Sequence, residues 1–318
     1  MTPQILLLDD IAFSVDGRQR LEQVGVIKVT EGLAQQDLPR VVGEASALMF
    51  QLSTLLISDE VLEASSKLKV IGRIGIGMDQ VDVAAANARG VCVVNAAGAQ
   101  DAAVADHAFA LILNLARNVI RGDAAVRNGR WSAPQMFMGQ SLAGRTLGIV
   151  GFGAIGRQLA KRAIAFGMTT FAYDPYLSDD EINDTGALSA DLDKILIASD
   201  YVSVHTPLTS ETHHIIGAEQ LSAMSSDAFL INTSRGSVID EAALIDALRD
   251  KQIAGAGLDV FEEEPLSHES PLIEMDNVVL TPHIGGWTFE AQRKTQMSVI
   301  EDVARVLEGT DPINPVLV

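Results

Sequence analysis

Gly151-Phe152-Gly153-Ala154-Ile155-Gly156 is the stretch that decides the fold of this 318-residue chain. Arg145-Thr146-Leu147-Gly148-Ile149-Val150 before it reads as a short buried strand, and Arg157-Gln158-Leu159-Ala160-Lys161-Arg162-Ala163 after it reads as a helix. A second strand, Met168 to Tyr173, ends at Asp174. This makes a βαβ unit of about thirty residues with an acid about twenty residues past the glycines, the layout of a dinucleotide site. Gly151 permits a tight turn out of the strand, Gly153 leaves the backbone open to a pyrophosphate, and Gly156 lets the helix approach the sheet. Ala154 and Ile155 open the helix, whose first N–H groups lack partners within it and face the phosphates with a partial positive charge. Asp174 can accept from a ribose 2′-OH and repels a 2′-phosphate, which favours NAD over NADP. The competing reading is a glycine-rich turn in an α/β domain that binds another ligand.

The chain is long enough for about two domains and a sizeable core. Hydrophobic residues make up 47% and aromatics only 5%, a balance suited to aliphatic parallel strands under Ala-rich helices. The net charge of −19 argues against a nucleic-acid partner, because phosphate backbones require basic patches. Cys92 is the only cysteine, which excludes an intrachain disulfide and a Cys-based zinc site, and no metal is expected. Within Val91-Cys92-Val93-Val94 it reads as a small strand residue. Ile5-Leu6-Leu7-Leu8 stops at Asp9-Asp10 and is too short for a signal segment, and no apolar run reaches the roughly eighteen residues of a spanning helix. A cytoplasmic setting with no membrane partner is the expectation.

Strand-like and helix-like segments alternate along the chain, the mark of parallel α/β architecture. The expected strands before the glycines are 4–8, 24–29, 47–50, 70–74 and 91–94; those after them are 168–173, 201–205, 228–232, 255–258 and 278–280. Helices are expected over 82–89, 102–117, 240–249 (with Asp240 as cap) and 290–308. Two α/β units result, one on either side of about residue 96, with the two long helices as crossovers and a cleft between the units. The stretch 118–143 reads as irregular, and its apolar residues, including Trp131 and Met136 to Met138, suit burial on a second copy.

Three further motifs sit near expected strand ends, where open α/β sheets bind ligands. In Asn232-Thr233-Ser234-Arg235-Gly236 the guanidinium offers a bidentate fork for a carboxylate; its plain alternative is a surface ion pair. In Leu258-Asp259-Val260-Phe261-Glu262-Glu263-Glu264-Pro265, Glu262 and Glu263 read as solvated, while Glu264 depends on a histidine lying near it. In Thr281-Pro282-His283-Ile284-Gly285-Gly286 the histidine is the side chain that titrates nearest neutrality, a general acid or base. Arg235 would hold the carboxylate of a 2-keto acid, His283 would give a proton to its carbonyl oxygen, and Glu264 would pair with the imidazole and favour its charged form. The remaining histidines read as structural: His107 packed on the long helix, His205 lining the cofactor side, and His213, His214 and His268 without surrounding motifs.

These motifs, with Arg73-Ile74-Gly75-Ile76-Gly77-Met78-Asp79, Val104-Ala105-Asp106-His107 and His205-Thr206-Pro207-Leu208-Thr209, resemble the D-isomer-specific 2-hydroxyacid dehydrogenase family over essentially the whole chain. The resemblance implies a two-domain α/β fold: a Rossmann nucleotide-binding domain, 99–288, inserted into a flavodoxin-like substrate domain, 1–98 and 289–318. It implies NAD, a homodimer, and Arg235, Glu264 and His283 as the catalytic set. It implies a cofactor set of Val104, Gly151, Gly153, Ala154, Ile155, Gly156, Asp174, His205, Thr206, Pro207, Thr233, Ser234, Arg235, Asp259, His283 and Gly285. A small anionic 2-hydroxy or 2-keto acid would meet Arg73, the backbone of Ile76 and Gly77, Arg235 and His283. Within the family the loop after Val70 is most similar to phosphoglycerate dehydrogenases, and Arg73 would supply a cation for a second anionic group or else brace the loop. Gln80 and Asp106 depart mildly from the family pattern, and the bulk of Trp287 could narrow the substrate range. Alternatives within the family are a glyoxylate/hydroxypyruvate reductase or a sulfolactate-type dehydrogenase, and outside it a non-catalytic NAD(H)-sensing protein. With Val318 soon after the last helix, control by serine through an added C-terminal domain is not expected.

Overall fold

The structure is a computed structural model that describes residues 2–30, 32–131 and 134–317. Ser132 and Ala133, in the segment expected to meet a second copy, lie outside the described residues, as do Met1, Glu31 and Val318. The chain divides into two units, one made of Met1–Gln100 with Thr288–Val318 and the other of Asp101–Trp287. The strands are β1 (Gln4–Leu7), β2 (Val26–Val29), β3 (Ala47–Phe50), β4 (Val70–Arg73) and β5 (Cys92–Val94) in the first unit. In the second they are β6 (Thr146–Val150), β7 (Thr169–Tyr173), β8 (Leu188–Ser189), β9 (Tyr201–Val204), β10 (Phe229–Asn232), β11 (Gly255–Leu258) and β12 (Val278–Leu280).

The first unit is a parallel sheet in the order β2-β1-β3-β4-β5, the flavodoxin-like order. Its central strands are apolar on both faces, as a sheet covered by helices on both sides requires: Ala47-Leu48-Met49-Phe50 is buried throughout. The C-terminal helix Phe289–Glu308 belongs to this unit and buries Val299, Ile300 and Val303 with Ile5, Leu7, Met49 and Val70. The contact is possible because β4 has glycine at position 72, where a Cβ would stand 2.8 Å from Val299 Cγ1 and from Val303 Cγ2. The strand expected from residue 24 begins at Val26, because the preceding residues form the helix Val15–Val24, capped by the Ser14 side chain on Gly17 N–H. Cys92 lies in β5, and burial first, then the charges of Asp302 and Asp311, push its thiol pKa up, so it is no nucleophile.

The second unit is a parallel sheet in the order β12-β11-β10-β9-β6-β7-β8. This is the Rossmann order, and its direction of growth reverses between β6 and β9. The helix Asp101–Arg117 buries Ala105, Leu111 and Ile112 with Leu147, Ile149 and Ile231 of the sheet. It comes so close to β11 that a Cβ on Gly257 would stand 3.0 Å from Leu111 Cβ. Asp240 caps the helix Glu241–Arg249 by accepting from Ala243 N–H.

One expectation fails here. The stretch after Arg117 is not irregular throughout, since Val119–Arg127 is a helix, bent by 62° from the one before it. The break falls at Asn118, whose φ of +53° is left-handed, a conformation asparagine tolerates. This helix buries only Ala125 and leaves Val119, Ile120 and Val126 exposed. Among the described residues no single helix is long and apolar enough to cross a membrane.

Candidate active site

The carboxyl ends of the second unit's strands bring most of the expected residues together. At the end of β6, Gly151 has φ +89°, and a Cβ there would lie 2.8 Å from the His205 carbonyl carbon and the Thr206 nitrogen. A Cβ on Gly156 would lie 2.5 Å from Gly151 O, so its absence sets the helix Ala154–Ala165 against the loop. Gly153 differs: a Cβ there would meet nothing within 4 Å. It is the N-cap of that helix, and no side chain caps it. Open space in front of uncapped N–H groups, with Ala154 and Ile155 in the first turn, suits an anion. Asp174 ends β7 with its Oδ2 accepting from Phe152 N–H (2.9 Å) and its Oδ1 from Tyr176 N–H (3.0 Å). It therefore holds the glycine loop.

At the end of β9 the His205 ring is almost wholly buried. Its Nε2 meets Ser203 Oγ at 2.8 Å, and its Nδ1 has no partner among the described residues. Burial pushes its pKa down to about 4, so the ring is neutral. The hydroxyls of Thr206 and Thr233, at the ends of β9 and β10, are likewise buried without partners among the described residues. Buried polar atoms are rarely left unsatisfied, so three of them at the carboxyl ends of β9 and β10 fit a ligand with several polar groups.

Asn232, 1% exposed, shapes the next turn. Its Nδ2 donates to Arg235 O (2.8 Å), and its Oδ1 accepts from Ser234 N–H (3.0 Å) and Ser234 Oγ (2.9 Å). Arg235 follows, half-buried, with Nη1 donating to Ser234 O at 2.7 Å. Gly236 is obligatory, since a Cβ there would overlap the Phe261 carbonyl at 1.8 Å. Glu264 then divides its carboxylate, Oε1 accepting from Phe261 N–H (3.1 Å) and Oε2 lying 2.7 Å from His283 Nδ1. Burial alone would raise its pKa, but the His283 hydrogen bond and charge, the Phe261 N–H and the Arg235 charge together hold it below the usual carboxylate range. Glu264 is therefore ionised and accepts Nδ1–H, leaving Nε2 as the ring nitrogen for chemistry.

His283 has a left-handed φ of +53°. Its N–H donates to Asp259 O (2.8 Å) and to Thr281 O (3.1 Å). The Asp259 side chain, 1% exposed, holds the rest of the turn: Oδ1 accepts from Ile284 N–H (2.9 Å) and Thr281 Oγ1 (2.6 Å), and Oδ2 from Gly285 N–H (2.7 Å). Burial opposes ionisation of Asp259, but these donors and His107 outweigh it and lower the pKa. His107 Nε2 lies 2.9 Å from Thr281 Oγ1 and 3.3 Å from Asp259 Oδ1. Because the Thr281 proton goes to Asp259, His107 must donate from Nε2. His107 thus takes part in holding the turn that carries His283 rather than merely packing on its helix. Val104, one turn earlier, is buried with Cγ1 3.7 Å from where a Gly285 Cβ would be. Pro207 turns the chain after Thr206, and its carbonyl accepts from Thr212 Oγ1 (2.5 Å).

Two readings change. Glu262 is not simply solvated, since its Oε1 lies 2.6 Å from His214 Nε2 and accepts from Glu241 N–H at 3.3 Å. His214 is correspondingly tied down. Arg73, Ile76 and Gly77 belong to the first unit, at and just after the end of β4. There Arg73 Nη1 donates to Ile74 O (2.7 Å), and the guanidinium lies over the Phe50 ring, 5.3 Å from its centroid.

Residues 109–285 match the family model for the NAD binding domain of D-isomer specific 2-hydroxyacid dehydrogenases. A D-3-phosphoglycerate dehydrogenase of Methanocaldococcus jannaschii is 42% identical over 92% of this chain and 56% of its own length. A glyoxylate reductase of Thermococcus litoralis is 45% identical over 86% of this chain and 84% of its own. The crystal structure of the TT0316 protein from Thermus thermophilus, 38% identical, superposes with a TM-score of 0.89 over 99% of this chain and all of that one. The chain belongs to the D-isomer specific 2-hydroxyacid dehydrogenase family, and the cofactor of its matched domain is NAD(H). It spans little more than half the length of the phosphoglycerate dehydrogenases it matches.

Proposed function

We propose that this chain is an NAD(H)-dependent dehydrogenase that moves hydride between nicotinamide and C2 of a small D-2-hydroxy or 2-keto acid. The observation that carries the reading is the 2.7 Å pairing of His283 Nδ1 with an ionised Glu264 that also feels the Arg235 charge, at the carboxyl ends of β10 to β12. The segment 99–288 is assigned the cofactor, and 1–98 with 289–318 the substrate. Bound nicotinamide would supply or accept the hydride. Arg235 would orient the substrate carboxylate and polarise the carbonyl. His283 Nε2 would give its proton to the carbonyl oxygen as C2 is reduced, and take one from the hydroxyl in the reverse direction. Glu264 would keep the ring in position throughout. Thr206 and Thr233 would satisfy the cofactor's polar groups, and Asp174 would favour NAD over NADP.

For the substrate we favour a phosphoglycerate-like acid, its carboxylate on Ile76 and Gly77 and its second anionic group on Arg73. The reading supported by the Arg73 geometry itself is different. A guanidinium donating to Ile74 O and lying over Phe50 suits a brace and a singly charged acid, as in a glyoxylate or hydroxypyruvate reductase. A homodimer is part of the proposal, supported by the exposure of Val119, Ile120, Trp131, Met136 and Met138 along one segment. So is a cytoplasmic setting, where NAD(H) is held at working concentration.

The test follows NADH absorbance with 3-phosphoglycerate, sulfolactate, glycerate, D-lactate and their keto partners, for the native chain and for His283→Ala. Turnover lowered roughly 10²–10⁴-fold in the variant is expected. Preference for a doubly anionic acid would favour Arg73 as a substrate contact, and activity on singly charged acids alone would favour the brace. Tight NADH binding with no turnover of any acid would put the NAD(H)-sensing alternative first.

A further inference from the structure

The loop after β4 is held in an unusual way. The Ile74 carbonyl accepts from Arg73 Nη1 (2.7 Å), the Gly75 carbonyl from Ala96 N–H (2.9 Å), and the Ile76 carbonyl from Asn95 Nδ2 (2.8 Å). Asn95 is itself buried, 9% exposed, and its Oδ1 accepts from Ala97 N–H (3.2 Å), so both ends of its amide are committed. In a trans peptide the carbonyl of one residue and the N–H of the next point in opposite directions. Tying the Gly75 and Ile76 carbonyls to the neighbouring residues Asn95 and Ala96 therefore aims the Ile76 and Gly77 N–H groups together, away from that segment. Those two N–H groups bond to nothing among the described residues. Successive N–H groups facing one way form an anion-binding concavity. Gly75 has φ +157°, a backbone conformation that L side chains rarely adopt, so glycine suits this turn.

We infer that Asn95 is the positioning residue of the substrate-carboxylate site: its side-chain amide, through the Ile76 carbonyl, sets the direction of the Gly77 N–H, with no contact to the substrate itself. This rests on the functional reading above, which assigns the carboxylate to Ile76 and Gly77. Arg73 and Ala96 play the same part for the two preceding carbonyls, but Ala96 does so through its backbone, so Asn95 is the point at which a side chain controls the nest.

The probe is oxamate, a non-reacting isostere of a 2-keto acid, alongside glyoxylate turnover and NADH titration. Asn95→Asp keeps the shape and the acceptor for Ala97 N–H but replaces the donor to Ile76 O with a carboxylate oxygen. Asn95→Ala removes both contacts. Losing the donor should weaken oxamate binding and raise KM for glyoxylate together, by roughly tenfold, on the scale of one misdirected hydrogen bond. NADH affinity should stay within about twofold and kcat should fall less than KM rises, a split that general loosening of the fold would not produce. A folded Asn95→Asp protein with unchanged oxamate affinity and KM overturns the inference. If the native chain neither binds oxamate nor reduces any 2-keto acid, it is the functional reading that fails. The amide resonances of Ile76 and Gly77 then decide the positioning role: they must shift in Asn95→Asp, and unmoved resonances refute it.

Discussion

Two glycines of the turn proposed to hold the cofactor's phosphates should respond to one added methyl in opposite ways. At Gly156 a Cβ would sit 2.5 Å from Gly151 O and 3.2 Å from Ile149 Cγ2. The nearer atom is backbone and cannot swing aside, so Gly156→Ala is an overpacking change costing about 1–3 kcal/mol. In a unit of this size that lowers Tm by roughly 2–4 °C for each kcal/mol. At Gly153 the same methyl meets nothing within 4 Å, and the residue's φ of −70° is ordinary. Gly153→Ala should change folding stability by less than about 1 kcal/mol, since only a weak cap preference and a small gain in unfolded-chain entropy are at stake. The space it would fill lies before the uncapped N-terminus of the helix Ala154–Ala165. Displacing a pyrophosphate from two charge-assisted N–H bonds, at about 1.5 kcal/mol each, weakens NADH by about 3 kcal/mol, or on the order of 10²-fold. Thermal unfolding without ligand and a fluorescence titration with NADH separate the two effects. A Gly153→Ala protein that binds NADH like the native chain, or one as destabilised as Gly156→Ala, would refute the assignment of that space to the cofactor.

Two further outcomes are expected. The folded pKa of His205 is about 4, below the roughly 6.5 of an unfolded histidine. Above pH ~6.5 both states are neutral; as pH falls towards 4 only the unfolded chain gains the proton, so stability declines over that window. The loss is at most about 3 kcal/mol, the value of a shift from about 6.5 to about 4. Urea unfolding between pH 7.5 and 4.5 should be steeper in pH for the native chain than for His205→Asn, and equal slopes would count against a neutral buried ring. The exposed residues Trp131 and Met138, 78% and 79% exposed, should become buried between two copies. Sedimentation should then give a dimer that dissociates more readily in Trp131→Ser with Met138→Ser, whereas a native monomer at micromolar concentration removes the dimer from the proposal.

The nucleotide end of the second unit was legible because its parts are neighbours in sequence. Gly151, Gly153, Gly156 and Asp174 fall within one βαβ unit, and local backbone requirements alone dictate where glycine must stand. Arg235, Glu264 and His283 could be suspected for a related reason: each follows a strand whose apolar run is readable, and parallel strands deliver their carboxyl ends to one edge. That His283 and Glu264 meet at 2.7 Å, nineteen residues apart, is a matter of packing. So is the part played by His107, whose partner Thr281 is 174 residues away, and by Asn95, nineteen residues from the carbonyl it holds. The same holds for the Glu262–His214 pair. Sequence by itself determined the alternation of elements and the glycine turn after β6, and it suggested the residue types now proposed for the chemistry, because elements and turns depend on backbone dihedrals and short-range periodicity. Tertiary structure alone decided which polar groups satisfy one another, because a buried donor takes whatever acceptor the packed sheet brings within hydrogen-bonding reach, and chain separation does not enter that choice.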